Sequence, residues 1–424
     1  MFVISNKMEK DIIKKIIIEN QQRIPGLPVL KRDYSAEPSA NYIITGQRRA
    51  GKTWFIFSIL QDMIAAGLPS EAVLHINFED ERLIGTGVND LETIMESYFE
   101  LFTHTPVIFL DEIQNIEGWQ KFARRLADQG YRVYITGSNS QMLSGEMAST
   151  LGGRFLVKEI GTLTFSEYLR FNELKVEDNI AYSQQRFEVI RLFGQYLTFG
   201  GFPEITKFTD KKEYLSSLFQ KVFLGDIIAR NQVRNANALR ILVKKLAEST
   251  MDEVSYNRMR NIISSTGLQV ATTTVIEYVK MLEYSYLISP LENYNAKITE
   301  RESKKKYYFS DTGLLALFLI DPPSFQLETL VFNSLKRKHG ADLHYFRNGY
   351  ETDFIVPGKL IVQACYSIQD AATRSRELTA IIKTGNKFET AEKLIVTFDT
   401  EEIIQEGNEE IKAIPAWKWL MNNF

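Results

Sequence analysis

The sequence predicts an α/β protein that opens on a parallel sheet built around a P-loop and continues through helical and then mixed α/β segments. Three observations carry that prediction. Gly46–Thr53 reads GQRRAGKT, and Val107–Glu112 reads VIFLDE. The 424 residues leave room for about three domains at ~150 residues each.

Composition sets the outer bounds. Hydrophobic residues make up 44% and charged residues 24% of the chain, an ordinary globular balance. The net charge is −3, so any basic surface has to be local. Cys365 is the only cysteine, which excludes an internal disulfide and suits a reducing cytoplasm. No apolar run approaches the ~20 residues needed to span a bilayer. The first residues, MFVISNKMEKDIIKK, lack the apolar core of a signal peptide. A cytoplasmic protein with no membrane partner is expected.

Residues 8–23 place Ile12, Ile13, Ile16 and Ile17 on one face with charges opposite. This pattern predicts an amphipathic helix that docks on the adjoining domain and ends before Pro25 and Pro28. With its linker it fills residues 1–39, and the nucleotide domain is placed at 40–162. Asn41–Thr45 is a short apolar strand, and Trp54–Leu60 is apolar enough for a buried helix. Between them lies G-x-x-x-x-G-K-[ST], in the context that gives the pattern its meaning. Backbone N–H groups of Gly46, Gln47, Arg48, Arg49, Ala50 and Gly51 are expected to cradle phosphates, helped by the positive end of the helix. Lys52 reaches the β- and γ-phosphates, and Thr53 gives its hydroxyl to Mg²⁺.

Ala72–Phe78 reads as the second strand, with His75 packed in its core. Val107–Leu110 ends in Asp111 and Glu112, as a central parallel strand does where its carboxyl end meets a metal–phosphate site. Asp111 is expected to hold Mg²⁺ through water, and Glu112 to orient and polarise the attacking water. The two motifs together predict a Mg²⁺–ATP site. Arg132–Thr136 is a further strand ending in Gly137–Ser140, which puts Ser138 and Asn139 where a γ-phosphate is sensed. Arg154 follows on the glycine-supported loop LGGRF, just before an apolar strand at Phe155–Ile160.

The stretches GQRRAGKT, LDEIQNIEGW (Leu110–Trp119), ITGSNSQML (Ile135–Leu143), LGGRF and LTFSEYL (Leu163–Leu169) resemble one family of bacterial and archaeal ATPases. In that family an AAA+-type P-loop domain is fused to an uncharacterised C-terminal domain. The resemblance continues through GGFPEI (Gly200–Ile205), LGDIIAR (Leu224–Arg230) and YFSDTGLLALF (Tyr308–Phe318), and so spans nearly the whole chain. It implies a five-stranded AAA+ core, a helical lid at 163–235, a winged-helix segment at 236–310 and a restriction-endonuclease-like module at 311–424. It also implies that Pro203, in the Gly201-Phe202-Pro203 turn, lies against the adenine. Arg154 matches an arginine that acts as a finger, either within its own chain or in trans in a homo-oligomer. Such a residue is worth roughly 10³–10⁵ in rate. A salt bridge on the sheet edge is the alternative.

Residues 238–290 read as three helices, with Thr274 and Glu277 forming a capping box on the third. This is a helix-turn-helix outline, and Leu287–Tyr308 with Lys304, Lys305 and Lys306 fits a wing hairpin. Duplex DNA is one candidate partner, with the third helix (Thr272, Thr273, Thr274, Tyr278, Lys280) in the groove and the lysines on phosphates. A protein partner is the other. In the terminal module, Glu328, Asp353 and the Leu360–Cys365 strand resemble the nuclease pattern, but Gln363 and Cys365 stand where the acid and lysine belong. Neutral Gln363 is a poor Mg²⁺ ligand, so the nuclease fold is expected to be retained and inactive unless Lys359 or Lys393 substitutes. Cys365 is expected to be a core thiol. The whole reads as an ATPase that couples nucleotide state to movement of its C-terminal modules. A nucleotide-gated binding switch and an ATP-dependent nuclease are its rivals.

Overall fold

Apolar runs of five or six residues, each followed by a helix, dictate the first sheet. In the computed structural model, which describes residues 9–143, 149–176, 180, 183–388 and 391–422, it is built of β1 (Asn41–Thr45), β2 (Val73–Asn77), β3 (Val107–Asp111), β4 (Arg132–Gly137) and β5 (Phe155–Glu159). The strands are parallel throughout, in the order β2-β3-β4-β1-β5. Successive side chains of β1 and β3 face opposite layers. Ile43, Ile108 and Leu110 join one core with helices α1 (Lys10–Arg23), α3 (Leu91–Leu101) and α4 (Trp119–Asp128). Tyr42, Ile44 and Phe109 join the other with Phe55, Ile56 and Leu60 of α2 (Lys52–Ala65). A parallel sheet buried on both faces is what such unbroken apolar strands require. Ile13, Ile16 and Ile17 bury α1 as its periodicity predicts, and Gln21 ties its end to β2 through Val73 O at 2.8 Å. His75 is a buried core residue against Phe57, held neutral because burial pushes its pKa down to about 3.

The chain divides into two compact units, Met1–Gly161 and Thr162–Phe424. The second starts with helices Phe165–Phe171, Gln185–Phe199 and Lys211–Lys221, the last running on into a π-helical turn at Val222–Ala229. Helix Phe165–Phe171 is capped reciprocally by Thr164 and Glu167. Next come helix Ala236–Glu248, β6 (Val254–Ser255), helices Tyr256–Ser265 and Thr272–Tyr284, then β7 (Ile288–Leu291) and β8 (Lys304–Phe309). These strands form an antiparallel sheet in the order β6-β8-β7. Helix Pro323–His339 then leads into β9 (His344–Arg347), β10 (Glu351–Val356) and β11 (Leu360–Ala364). Helix Ala371–Gly385 crosses to β12 (Glu392–Thr397), and β13 (Glu402–Glu406) and β14 (Glu409–Pro415) complete a mixed sheet ordered β13-β14-β12-β11-β10-β9.

Two local expectations are corrected here. The third helix starts at Thr272 with Ala271 as its cap, so Thr274 and Glu277 form no capping box. The Thr272 hydroxyl instead donates to Asn257 Oδ1 at 2.9 Å, and contact with the neighbouring helix fixes the start. The wing is no simple hairpin, because helix Ile298–Ser303 separates β7 from β8. Of the three lysines only Lys304 is exposed: Lys305 pairs with Glu292 at 2.9 Å, and the pleat turns Lys306 inward. Tyr278 is buried as well.

Asp311 explains the glycine pair before Pro203. Its carboxylate accepts from Gly201 N at 2.8 Å and Gly313 N at 2.9 Å. Gly200 has φ +77°, and a Cβ there would lie 1.9 Å from Asp311 Oδ1. Burial pushes the Asp311 carboxyl up to about 6, against bonds from the Gly201, Gly313 and Leu314 N–H groups and the Thr162 hydroxyl. An acid raised above its unfolded value contributes stability that is present below about pH 4 and lost as pH rises through about 6. Asp311→Asn, which presents an amide to those donors, is expected to cost about 1–3 kcal/mol. Its melting-temperature deficit against wild type narrows between about pH 4 and 6; a constant deficit would contradict the assignment.

Candidate functional site

The phosphate loop is shaped by positive φ angles at Gly46 (140°), Arg49 (65°) and Gly51 (98°). At Gly46 glycine is obligatory, since a Cβ would stand 2.1 Å from the Ile160 carbonyl oxygen. Helix α2 begins at Lys52, so its unpaired first N–H groups belong to the loop. Lys52, only 4% exposed, donates to the carbonyls of Gly46 (3.1 Å) and Gln47 (3.2 Å). Its Nζ also stands 3.5 Å from Glu112 Oε1. Arg48 pairs with Glu79 at the end of β2, at 2.8 Å.

Asp111, fully buried at the carboxyl end of β3, meets the loop directly. The Thr53 hydroxyl donates to its Oδ2 at 2.8 Å, and Thr136 of β4 donates to Oδ1. Burial and the neighbouring charge of Glu112 push its carboxyl up to about 6, while Thr136, Thr53 and Lys52 pull the other way. Glu112 holds a left-handed backbone (φ 55°), and its N–H donates to Thr136 Oγ1 at 2.9 Å. Burial alone would raise its pKa, but Lys52, then Gln114, Arg48 and Ser138, carry it below the usual range. A buried ammonium, a ring of loop N–H groups and a carboxylate already gripping the Thr53 hydroxyl suit a Mg²⁺–nucleotide.

Ser138 is buried beside this cluster, with Gln114 Nε2 3.4 Å from its hydroxyl oxygen. Asn139 is turned to another task, its Oδ1 capping the next turn by accepting from Gln141 N at 2.8 Å. Arg154 is committed to the sheet edge: its Nε donates to Asp128 at the end of α4, and Nη1 donates to Gly152 O at 3.1 Å. Pro203 opens a short 3-10 turn of the second unit, Pro203–Lys207. Thr136 and Gln114 were missed by motif reasoning. Their signals are a polar residue ending the strand beside Asp111 and an amide two residues past Glu112.

The second unit gathers another set of buried charges. Gln363 Oε1 accepts from Asp353 N at 2.7 Å, and its Nε2 donates to Glu377 at 2.6 Å. Lys306, 1% exposed, lies 2.6 Å from Glu351 and 3.9 Å from Glu328, to which Tyr308 also donates at 2.7 Å. Burial holds the Glu328 and Asp353 carboxyls above the usual range, against the charge of Lys306. The lysine in this cluster is therefore Lys306 of β8, while Lys393 pairs with Glu409 at 2.6 Å. Among the described residues no group of three or more His, Cys, Asp or Glu is arranged to hold a metal. The Cys365 thiol is pushed up to about 11 by burial, as suits a packed thiol rather than a nucleophile. No helix among the described residues is long and apolar enough to cross a membrane.

Residues 39–169 match a family described as an AAA domain, and residues 190–324 match one described as a domain of unknown function. The chain is 31% identical to an uncharacterized protein of Methanocaldococcus jannaschii over 434 aligned positions, covering 98% of this chain and 97% of that one. It is 27% identical to an uncharacterized protein of Haemophilus influenzae, over 82% of this chain and 90% of that one. Among solved structures, a Walker-type ATPase of Pyrococcus abyssi matches at 11% identity and TM-score 0.40, covering 73% of this chain and 95% of that one. The ORC1 protein of Aeropyrum pernix in complex with DNA matches at 13% identity and TM-score 0.34, covering 74% and 92%. At such scores the fold rests on strand order and loop geometry.

Proposed function

The chain belongs to one family with the Methanocaldococcus jannaschii protein and contains an AAA-type P-loop ATPase-like domain; from that premise we propose that it binds Mg²⁺–ATP, hydrolyses it, and uses the nucleotide state to move its C-terminal modules. The observation that carries this is the convergence of Lys52, Thr53, Asp111 and Glu112 at the carboxyl end of the parallel sheet. Loop N–H groups bind the phosphates, and Lys52 exchanges its carbonyl partners for the β- and γ-oxygens. Asp111 and Thr53 hold Mg²⁺, which supplies charge neutralisation at the transferring phosphoryl group. Glu112 orients the water and accepts its proton, and Ser138 contacts the γ-phosphate. Asn139 acts through the backbone of that turn.

Arg154 serves as a finger in trans once its pair with Asp128 opens, and Pro203 packs on the adenine. The order helix, strand, two helices, strand, short helix and strand supports a winged helix at residues 236–310. Of the groove and wing residues expected to meet DNA, Thr273, Lys280 and Lys304 are exposed, which favours a protein partner or phosphate contacts on duplex DNA over base reading. The helix, three-strand meander, helix and parallel strand from Pro323 to Thr397 support a nuclease-like module, silent because Gln363 and Cys365 stand where the acid and lysine belong.

Steady-state hydrolysis per protomer, measured across protein concentration with and without duplex DNA, tests this reading. A rate that rises with concentration supports Arg154 in trans, and one that rises with DNA supports a nucleic-acid partner. A flat, very slow rate beside tight Mg²⁺–ATP binding favours a nucleotide-gated switch instead.

A further inference from the structure

The two carboxylate oxygens of Glu112 are held by different groups. Oε1 faces Lys52 at 3.5 Å, and Oε2 accepts from Gln114 Nε2. The same amide nitrogen lies 3.4 Å from Ser138 Oγ, so Gln114 bridges the two residues assigned to the water and the γ-phosphate. Its other end is packed against Gly137. Gln114 Oε1 is buried without a hydrogen bond, and a Cβ added to Gly137 would stand 2.6 Å from it. An unmet acceptor costs free energy, so the nitrogen's two acceptors and the tight fit against Gly137 fix the orientation.

We propose that Gln114 is a positioning residue that fixes the Glu112 carboxylate and ties it to Ser138, so that contact of Ser138 with a γ-phosphate governs where the attacking water is held. This rests on the ATPase reading above. Once Lys52 turns to the phosphates, Oε1 loses its cation. Arg48 is engaged with Glu79, and Asp111 with Thr53 and Thr136. The Gln114 amide and the Ser138 hydroxyl are then the side-chain donors left on the Glu112 carboxylate, and contact of Ser138 with a γ-phosphate leaves the amide to hold it. A shift of Ser138 toward the nucleotide is transmitted through that amide to the base.

Gln114→Met keeps the length and removes the donor; Gln114→Glu keeps the length and sets an acceptor against Glu112. Both are expected to lower kcat about tenfold to hundredfold, with KM and the dissociation constant for Mg²⁺–ATP within about threefold of wild type. Gln114→Met combined with Ser138→Ala is expected to cost little more than the worse single change, because the two act through one contact. A Gln114→Met protein that binds Mg²⁺–ATP and keeps wild-type kcat overturns the inference alone, as does a loss carried wholly in KM or a multiplicative double variant. If Gln114→Met does not fold, Gln114→Glu carries the same test. A wild-type rate no higher than that of Lys52→Ala removes the ATPase reading and this inference together.

Discussion

Replacing Glu112 by Gln is expected to leave Mg²⁺–ATP binding within about threefold of wild type and to lower kcat by roughly 10²–10⁴. The amide fits the space of the carboxylate, so the strained backbone at φ 55° and the bond from Glu112 N to Thr136 both survive. What disappears is the proton acceptor. Losing the charge also relieves Asp111, whose raised pKa owes part of its shift to Glu112, so metal binding is not weakened. Single-turnover hydrolysis beside a nucleotide titration separates the two effects. Wild-type kcat in the variant would place the base elsewhere.

The largest stability effect is expected at Lys306. Its ammonium is buried among Glu328, Glu351 and Asp353, and its pKa stays above the ordinary lysine value because those charges outweigh burial. Lys306→Met leaves the carboxylates in the interior without their cation. Breaking such a pair from one side costs about 3–5 kcal/mol. Chemical denaturation of the variant is expected to show that loss in the second unit, and adding Glu328→Gln to return part of it. A loss below about 1 kcal/mol would mean that water already reaches the cluster.

Contiguity decided what the sequence disclosed. The phosphate loop and VIFLDE are each unbroken, and a strand before and a helix after are written in the same letters, so the meeting of Thr53 and Asp111 beside Lys52 could be expected residue by residue. Thr136, which grips Asp111 from the adjacent strand, became visible only through the β3–β4 pairing. Lys306 escaped for the same reason. Its partners Glu328, Glu351 and Asp353 lie on other segments, and a run of three lysines reads as a solvated face until the pleat of β8 sorts them. Glycine motifs were legible as turns but not as contacts: Asp311, more than a hundred residues on, occupies the space of the missing Gly200 side chain and accepts from Gly201 N, while Leu163 and Tyr196 crowd Gly201. The third helix of the 236–310 segment shows the limit of local signals, as a Thr–Glu pair with the right spacing lost its capping role to a contact with Asn257.

Phosphate release from Mg²⁺–ATP by the wild-type chain and by Lys52→Ala, at equal concentration and matched folding, tests the central claim most directly. The predicted result is sustained wild-type turnover and a rate lower by at least ~10² in the variant, since the site loses a buried cation facing the phosphates. Equal rates in the two proteins would contradict the claim that this loop and the β3 carboxylates form a working ATPase site.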